Sequence, residues 1–145
     1  MQLTLYADYS LRVLLFLGLQ PDRLSTINEI ADSYHISRNH LVKVVHNLGQ
    51  LGYINTTRGR NGGMSLAHSP EAINIGEVVR KTEVSFDLVE CFNMDSNTCP
   101  IAPVCALKTA LLEAQRAFLK VLDGYTLADV LKNKKDLALL LRIAP

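Results

Sequence analysis

The chain has 145 residues, of which 48% are hydrophobic and 20% are charged, and its formal net charge is +1. These values are typical of one soluble globular domain and give no overall signal for a polyanionic partner. No apolar run approaches the ~20 residues of a membrane-spanning helix, and the longest, 13–19, lacks the flanks of a signal peptide. We therefore expect a cytoplasmic protein with no membrane partner.

The charged residues are distributed unevenly. Residues 33–70 contain no acidic residue but four basic ones, which are Arg38, Lys43, Arg58 and Arg60. Residues 82–107 reverse this pattern, with four acidic residues, no Lys or Arg, and all three cysteines. The pattern favours a basic surface for a polyanion beside a separate cysteine site, with chance fluctuation as the alternative.

The hydrophobic periodicity predicts a mainly α-helical chain. A first helix is expected over 6–19. Thr26 and Glu29 have the spacing of a capping box, which opens a second helix. Ser37 is expected to cap a third helix. The apolar residues of this third helix repeat at helical spacing, as Leu41, Val44, Val45 and Leu48.

A small β-hairpin is predicted after the third helix. Residues 53–57 and 64–67 have the composition of strands, and residues 58–63 that of the turn between them. Within the turn, Asn61 and Gly62 predict a type I′ turn, because both central residues of that turn need positive φ.

The C-terminal half combines a long loop with a long helix. Residues 84–103 have no clear period and predict a loop with at most one short helical turn, and a loop of this length usually has a function. Pro103 is expected to start a helix that continues to Asp123, and short capped helices are predicted at Asn74 and Thr126. The long helix carries a coiled-coil-like apolar seam of Leu107, Leu111, Ala114, Phe118 and Val121.

Two helices joined by a tight turn and followed by a hairpin have the order of a winged helix-turn-helix. In such units the second helix enters the major groove and its N-terminal residues contact base edges. Arg38 is a candidate for reading guanine and Asn39 for adenine, while the wing arginines suit the minor groove. A helix pair with a solvated polar face is the alternative. The DNA-binding candidates are Ser37, Arg38, Asn39, His40, Lys43, Arg58, Arg60 and Asn61.

The cysteines Cys91, Cys99 and Cys105 are separated by seven and five residues. Thiolates bind zinc, Cu(I) and iron–sulfur clusters, and zinc sites usually use closely spaced cysteine pairs, which this sequence lacks. The long gaps favour a loop wrapped around something larger than one ion. Buried inert cysteines and a redox dithiol are the alternatives.

The three cysteines occur together with five further motifs, which are LTLYADYSLR (3–12), SRNHLVK (37–43), RGRNGG (58–63), IGEVV (75–79) and YTLAD (125–129). On these residues the chain resembles the IscR-like (Rrf-type) family of iron–sulfur regulators, and within it the NsrR-type repressors that sense nitric oxide. The resemblance covers nearly the whole chain. It implies a homodimer that binds an operator in double-stranded DNA, a cysteine-bound iron–sulfur cluster, and repression relieved when nitric oxide attacks that cluster. A [4Fe-4S] cluster is expected and [2Fe-2S] is the alternative.

Two departures from the family pattern affect the expected metal ligands. The IscR branch has a histidine three residues after its last cysteine, where this chain has Lys108, and the first cysteine gap is seven residues rather than the common five. For the fourth ligand, the resemblance suggests that Asp8 reaches the cluster of a partner subunit. Glu90 and Asp95 are alternatives, and pairing of Asp8 with Arg12 is the structural explanation for its presence.

The sequence favours a regulatory function over a catalytic one. The sequence has no Gly-rich phosphate loop, CxxC motif or paired catalytic carboxylates, so we predict a regulator and not an enzyme. Other functions left open are a winged-helix regulator with a structural zinc site and a sensor of a different signal.

The expected units are a winged helix-turn-helix domain over 1–130 (helix-turn-helix about 26–52, wing 53–68, cysteine loop 84–105, dimerisation helix 103–123) and a C-terminal tail over 131–145.

Overall fold

The computed structural model of the chain describes residues 2–143, and these residues form seven α-helices and one two-stranded antiparallel hairpin. This confirms the predicted mainly helical class with a small hairpin. Three short 3₁₀ turns lie at Pro70–Ala72, Glu90–Phe92 and Ala102–Val104. The elements are α1 (Leu5–Gly18), α2 (Ile27–Tyr34), α3 (Arg38–Gln50), β1 (Ile54–Thr57), β2 (Gly63–Leu66), α4 (Ile75–Thr82), α5 (Ala106–Asp123), α6 (Leu127–Val130) and α7 (Lys134–Leu140).

The hydrophobic core is built around α1, which contacts α3, α4, α6 and β2. Leu14 and Leu17 of α1 are almost completely buried, and the predicted apolar stripe of α3 is buried against them. At Gly18 a Cβ atom would lie 2.5 Å from Leu131 Cδ1, so the glycine allows residues after α6 to approach α1 closely. Burial of α1 therefore fixes the helix-turn-helix and the C-terminal helices in one core.

The helix starts depend on local hydrogen bonds, as the capping residues predicted. The Thr26 N–H donates to Glu29 Oε2 (2.6 Å) while Thr26 Oγ1 accepts from the Glu29 N–H (3.3 Å), which confirms the predicted capping box. Thr126 and Asp129 form the same arrangement at α6. Hydrogen bonds from the Thr126 backbone, Lys132 and the Thr126 hydroxyl hold the pKa of Asp129 at about 2. Because this pKa is lowered on folding, its stabilising contribution is present above about pH 4 and is lost as the pH falls towards 2.

The hairpin turn differs from the predicted type I′ turn. Thr57 pairs with Gly63, so a five-residue loop connects the strands. Positive φ occurs at Gly59 (111°), and the Gly62 N–H donates to Gly59 O at 3.0 Å. The prediction of a type I′ turn at Asn61 and Gly62 was wrong because neither residue has positive φ, whereas the strands end within one residue of the predicted positions.

Two boundaries around the cysteine loop are also corrected. Pro103 lies in a 3₁₀ turn, and α5 begins at Ala106 after an extended residue, Cys105. The chain bends at Cys105 before the helix starts, so the proline does not occupy the first helical turn. The loop contains a 3₁₀ turn at Glu90–Phe92 and ends in another at Ala102–Val104, whereas at most one short helical turn was predicted.

The predicted C-terminal tail is folded against the core. Leu131 is fully buried, and α7 follows directly. Leu137 of α7 is half-buried and packs on the core cluster, as do Leu141 and Ile143 after the helix. Within the described residues, the segment predicted as a tail therefore contains a helix and packs on the core of the preceding residues. Residues 144 and 145 of the predicted tail lie outside the described residues.

No helix within residues 2–143 has the length and apolar character that crossing a bilayer requires.

We predict that Leu131→Ala lowers the free energy of unfolding by about 2–5 kcal/mol, because it leaves a cavity beside Gly18. The neighbouring control Val130→Ala, at a position that is 39% exposed, should stay within about 0.5 kcal/mol of the wild type. Chemical denaturation of both variants tests this. Equal stabilities would show that the segment after α6 does not belong to the core.

Candidate DNA-binding surface and cysteine loop

The buried stripe of α3 determines which of its side chains reach solvent. With that stripe on the core, the candidate residues Ser37, Arg38, Asn39, His40 and Lys43 are all exposed. His35 ends α2 in the left-handed conformation (φ 54°), and the Ile36 N–H donates to Ala31 O at 3.0 Å, which makes the tight turn. Ser37 occupies the N-cap position of α3, but within residues 2–143 its hydroxyl makes no capping hydrogen bond. This hydroxyl is therefore available to an external acceptor.

The wing brings a second group of basic residues to the same side of the molecule. Arg58, Arg60 and Asn61 are exposed in the five-residue loop. The base of the wing and Arg38 line one groove of about 280 Å³ with the start of α2. Across the described chain, none of the four basic candidates forms an ion pair with an acidic side chain. The structure thus brings free cations together on one surface, which suits phosphate contacts.

Helix α1 supports α3 from the side opposite its exposed face. A small apolar cleft of about 210 Å³ between α1 and α3 is lined by Tyr6, Tyr9, His40 and Lys43, among others. The Tyr9 and His40 rings lie 6.2 Å apart between centroids. His40 and Lys43 therefore border both the exposed face of α3 and α1.

Asp8, the candidate fourth cluster ligand, is bound within its own chain by Arg12. Arg12 Nη2 lies 2.7 Å from Asp8 Oδ2 and Arg12 Nε lies 3.0 Å from Oδ1, which makes the contact bidentate. The guanidinium lies over Tyr9 (5.8 Å) and Tyr34 (5.7 Å). The Asp8 hydrogen bond raises the pKa of Arg12, and burial raises the pKa of Tyr34 to about 12. The structure therefore realises the ion-pair alternative in the single subunit.

The aromatic enclosure of Arg12 was not predicted from the sequence. Tyr9 precedes Arg12 by three residues, so its i,i+3 spacing on α1 is a signal that could have been used. Tyr34 comes from α2, and only the packing of α2 against α1 brings it to Arg12. Arg–aromatic contacts of this kind stabilise the guanidinium in one position.

The three cysteines have free thiols and are half-buried. Cys91 lies in a 3₁₀ turn, and the Cys99 N–H donates to Asn97 Oδ1 at 3.0 Å. Cys105 is the N-cap of α5, where its Sγ accepts the Lys108 N–H at 3.4 Å. The last cysteine is therefore attached directly to the first turn of the long helix.

Two contacts hold the cysteine loop in shape. Glu90 Oε1 accepts from both the N–H and the hydroxyl of Thr98, each at 2.6 Å, and the hydroxyl contact contributes most to lowering the pKa of Glu90. Gln115 of α5 donates from Nε2 to Phe86 O and ties the start of the loop to the helix. Of the loop carboxylates considered as ligands, Glu90 is thus already engaged, and Asp95 is exposed.

The donor types suit an iron–sulfur cluster, because three thiols lie in one loop and thiolates are its usual ligands. Their arrangement is not that of a closed site: residues 2–143 contain no group of three or more His, Cys, Asp or Glu side chains placed to hold a metal ion.

Helix α5 is attached to the domain by its C-terminal end. Arg80 of α4 pairs with Asp123 through both guanidinium nitrogens, and Asn74 Nδ2 donates to Asp123 O at 2.7 Å. Along the described chain no residue of α5 is buried, and Leu107 and Val121 are 66% and 61% exposed. Leu111 and Phe118 border a groove of about 650 Å³ with the N-terminal segment and the start of the loop. The apolar seam of α5 thus faces solvent in the single subunit.

A helix-turn-helix followed by a basic wing and a long appended helix defines the class of winged-helix DNA-binding regulators. Residues 3–133 match the model of the Rrf2 family, described as an iron-dependent transcriptional regulator, and the chain belongs to this family.

Similar proteins agree with this assignment. The chain is 58% identical over 144 residues to the HTH-type transcriptional regulator NsrR of Bacillus subtilis (strain 168), which covers 99% of each chain. It is 56% identical over 146 residues to the protein of the same name from Halalkalibacterium halodurans, over 100% of both. The solved structure of T. potens IscR shares the fold, with TM-score 0.73 and 23% identity over 92% of this chain and 88% of that one. These names confirm the expected family and the expectation of a regulator rather than an enzyme.

We predict that Arg38→Ala costs about 1–3 kcal/mol at one base pair and relaxes the preference for that base, because an exposed arginine at the start of α3 can reach a base edge. Arg60→Ala should weaken binding more evenly across sequences, because the wing suits the minor groove. Lys134→Ala removes the same charge outside the acid-free segment and serves as control. Fluorescence anisotropy on duplexes selected by the wild type from a random library measures all three. Wild-type affinity in both arginine variants would contradict this docking.

Proposed function

We propose that the chain is a homodimeric transcriptional repressor, acting in the cytoplasm, whose binding to operator DNA is relieved by nitric oxide. In this proposal Cys91, Cys99 and Cys105 hold an iron–sulfur cluster, with [4Fe-4S] expected and [2Fe-2S] as the alternative. The observation that carries it is the set of three free thiols in one loop that leads into α5. The 58% identity to a regulator named NsrR supports nitric oxide as the signal.

The cysteine loop would couple the bound group to the dimerisation helix. Cys105 forms the N-cap of α5. Further along the same helix, Gln115 donates a hydrogen bond to Phe86 O at the start of the loop. When bound, a cluster supplies iron atoms that nitric oxide can attack. Cys105 would hold the cluster through the same Sγ that accepts the Lys108 N–H, so binding and release of the cluster would act on the first turn of α5.

Asp8 is proposed as the fourth ligand, reaching the cluster of the second subunit. Its carboxylate is held by Arg12, so ligation exchanges an ion pair for a metal bond. The pair is 39% and 37% exposed at its two side chains, which lowers the free energy needed to separate them. Since α1 lines one cleft with His40 and Lys43 of α3, a change at Asp8 would be transmitted to the DNA-binding surface through packing.

The proposed dimer interface is the apolar seam of α5. The helix has 18 residues and is about 27 Å long, and its own domain buries none of them in the described chain. A second copy packed along this seam would cover the exposed leucine and valine side chains. Two-fold symmetry would then place two α3 helices about one turn of DNA, roughly 34 Å, apart on double-stranded DNA.

We predict that protein purified without oxygen is brown and contains iron and acid-labile sulfide, and that Cys91→Ser, Cys99→Ser and Cys105→Ser each lose most of both. Ser96→Ala in the same loop is the control and should retain them. Addition of a nitric oxide donor should release wild-type protein from the selected duplex in an anisotropy assay. Stoichiometric zinc with no iron or sulfide under these conditions would contradict the cluster and support a structural zinc site.

Two variants separate ligation by Asp8 from its ion pair. We predict that Asp8→Ala, reconstituted without oxygen, has an altered visible spectrum and loses its cluster faster, whereas Arg12→Ala keeps the wild-type spectrum. If Asp8 acts only as the partner of Arg12, both variants should behave alike, because each removes the same ion pair. Light scattering confirms that both remain dimeric. A wild-type spectrum and nitric oxide response in Asp8→Ala would exclude it as the ligand.

We predict that Leu111→Glu combined with Phe118→Glu gives folded monomers that no longer bind the duplex, because charges are placed in the apolar seam. Thr109→Glu with Arg116→Gln changes the net charge equally at the same seven-residue separation on the other face of α5, and it should remain dimeric. Light scattering and circular dichroism measure mass and folding. A folded seam variant that remains dimeric would show that another surface forms the interface.

A further inference from the structure

The wing is joined to the helix-turn-helix by backbone hydrogen bonds on a second edge. Besides pairing with β1, β2 forms an antiparallel bridge with the residue that precedes the N-cap of α2. The Ser25 N–H donates to Met64 O at 2.9 Å, and the Met64 N–H donates to Ser25 O at 2.8 Å. Both residues are buried. The hairpin is thus held from both sides of β2 and does not extend as a free two-stranded arm.

Gly63 is the residue that permits this close approach. A Cβ atom at Gly63 would lie 2.8 Å from Ser25 O and 2.9 Å from Leu24 Cβ. Real Cβ atoms do not come so near to other heavy atoms, and neither neighbour is the end of a flexible side chain. Any side chain at this position would therefore push β2 away from Ser25.

The same residue lies at the base of the wing loop. Gly63 pairs with Thr57 in the last pair of the hairpin, and the loop between them carries Arg58 and Arg60. The separation between β2 and Ser25 therefore sets the position of both arginines.

The other side of the bridge leads directly into the helix-turn-helix. Ser25 precedes Thr26, whose capping box begins α2. Arg38, at the start of α3, lines the same groove as Gly63. The wing and the first turn of the recognition helix are consequently fixed relative to one another through a few backbone atoms.

We propose that Gly63 is a positioning residue for DNA binding. Gly63 allows the bridge between Ser25 and Met64 to form. The bridge holds the wing arginines in a position from which they contact the same DNA duplex as α3. Such preorganisation avoids the entropy cost of ordering the wing when DNA binds. The inference rests on the proposed DNA contacts of Arg58 and Arg60.

A mutant cycle tests this coupling. The variants are Gly63→Ala, Arg58→Ala with Arg60→Ala, and the three substitutions together, each measured on the duplex selected by the wild type. If Gly63 acts through the wing arginines, Gly63→Ala should lose the same factor in affinity as the arginine pair, within about twofold, and the triple variant should lose no more. Gly49→Ala is the control, since a Cβ atom there meets nothing within 4 Å.

Footprinting distinguishes misplacement of the wing from general damage. Hydroxyl-radical protection in the minor groove should disappear in Gly63→Ala, while methylation protection of guanine in the major groove should persist. Loss of both protections, or affinity losses that multiply in the triple variant, would overturn the proposal. So would wild-type binding by Gly63→Ala when the arginine pair is defective.

A measurement on the wild type covers the case in which Gly63→Ala does not fold. The Met64 amide should exchange with deuterium as slowly as the core amides of α3 before any DNA is added, and exchange as fast as in the wing loop would overturn the proposal. Failure of the underlying DNA role gives a different result. In that case the arginine pair itself binds the duplex like the wild type, whatever Gly63→Ala does.

Discussion

Burial of α1 at the centre of the core is the constraint on which the rest of the structure depends. Its apolar face packs on α3, α4, α6 and β2. The positions of α3, of the wing and of α4, which contacts α5, therefore all depend on one helix. Its polar face carries Asp8 and Arg12. The hydrophobic effect buries the apolar face of α1, and the opposite face presents the charged side chains of Asp8 and Arg12.

Two chemically distinct regions of the molecule are connected through α1, α4 and α5. The acid-free segment forms the exposed face of α3 and the wing, and the acidic segment forms the cysteine loop. Because protein interiors are densely packed, a displaced side chain or helix shifts its neighbours instead of moving into empty space. In the proposed function, a change in the ligands of the cysteine loop would reach the candidate DNA-binding surface through α5, α4 and α1, which contact one another in that order.

The fold and most helix boundaries followed from local chemistry. Capping residues such as Thr26, Asn74 and Thr126 determine where helices begin, since each satisfies a backbone N–H within three residues. The buried stripe of α3 also fixes its exposed face. Local signals were insufficient in two places. The predicted tail contains α7, whose Leu137 packs on the core. In the hairpin loop, positive φ occurs at Gly59 rather than at Asn61 and Gly62.

The sequence by itself determined the helix-turn-helix and wing, the exposed basic residues and the grouping of three cysteines, because periodicity, capping and charge are all local properties of the chain. Only the tertiary structure decided that Tyr34 lies against Arg12, and that Gly63 lies against Ser25. Those contacts join residues from separate elements. Their distances depend on how α1, α2 and β2 pack together, which no spacing within one element encodes.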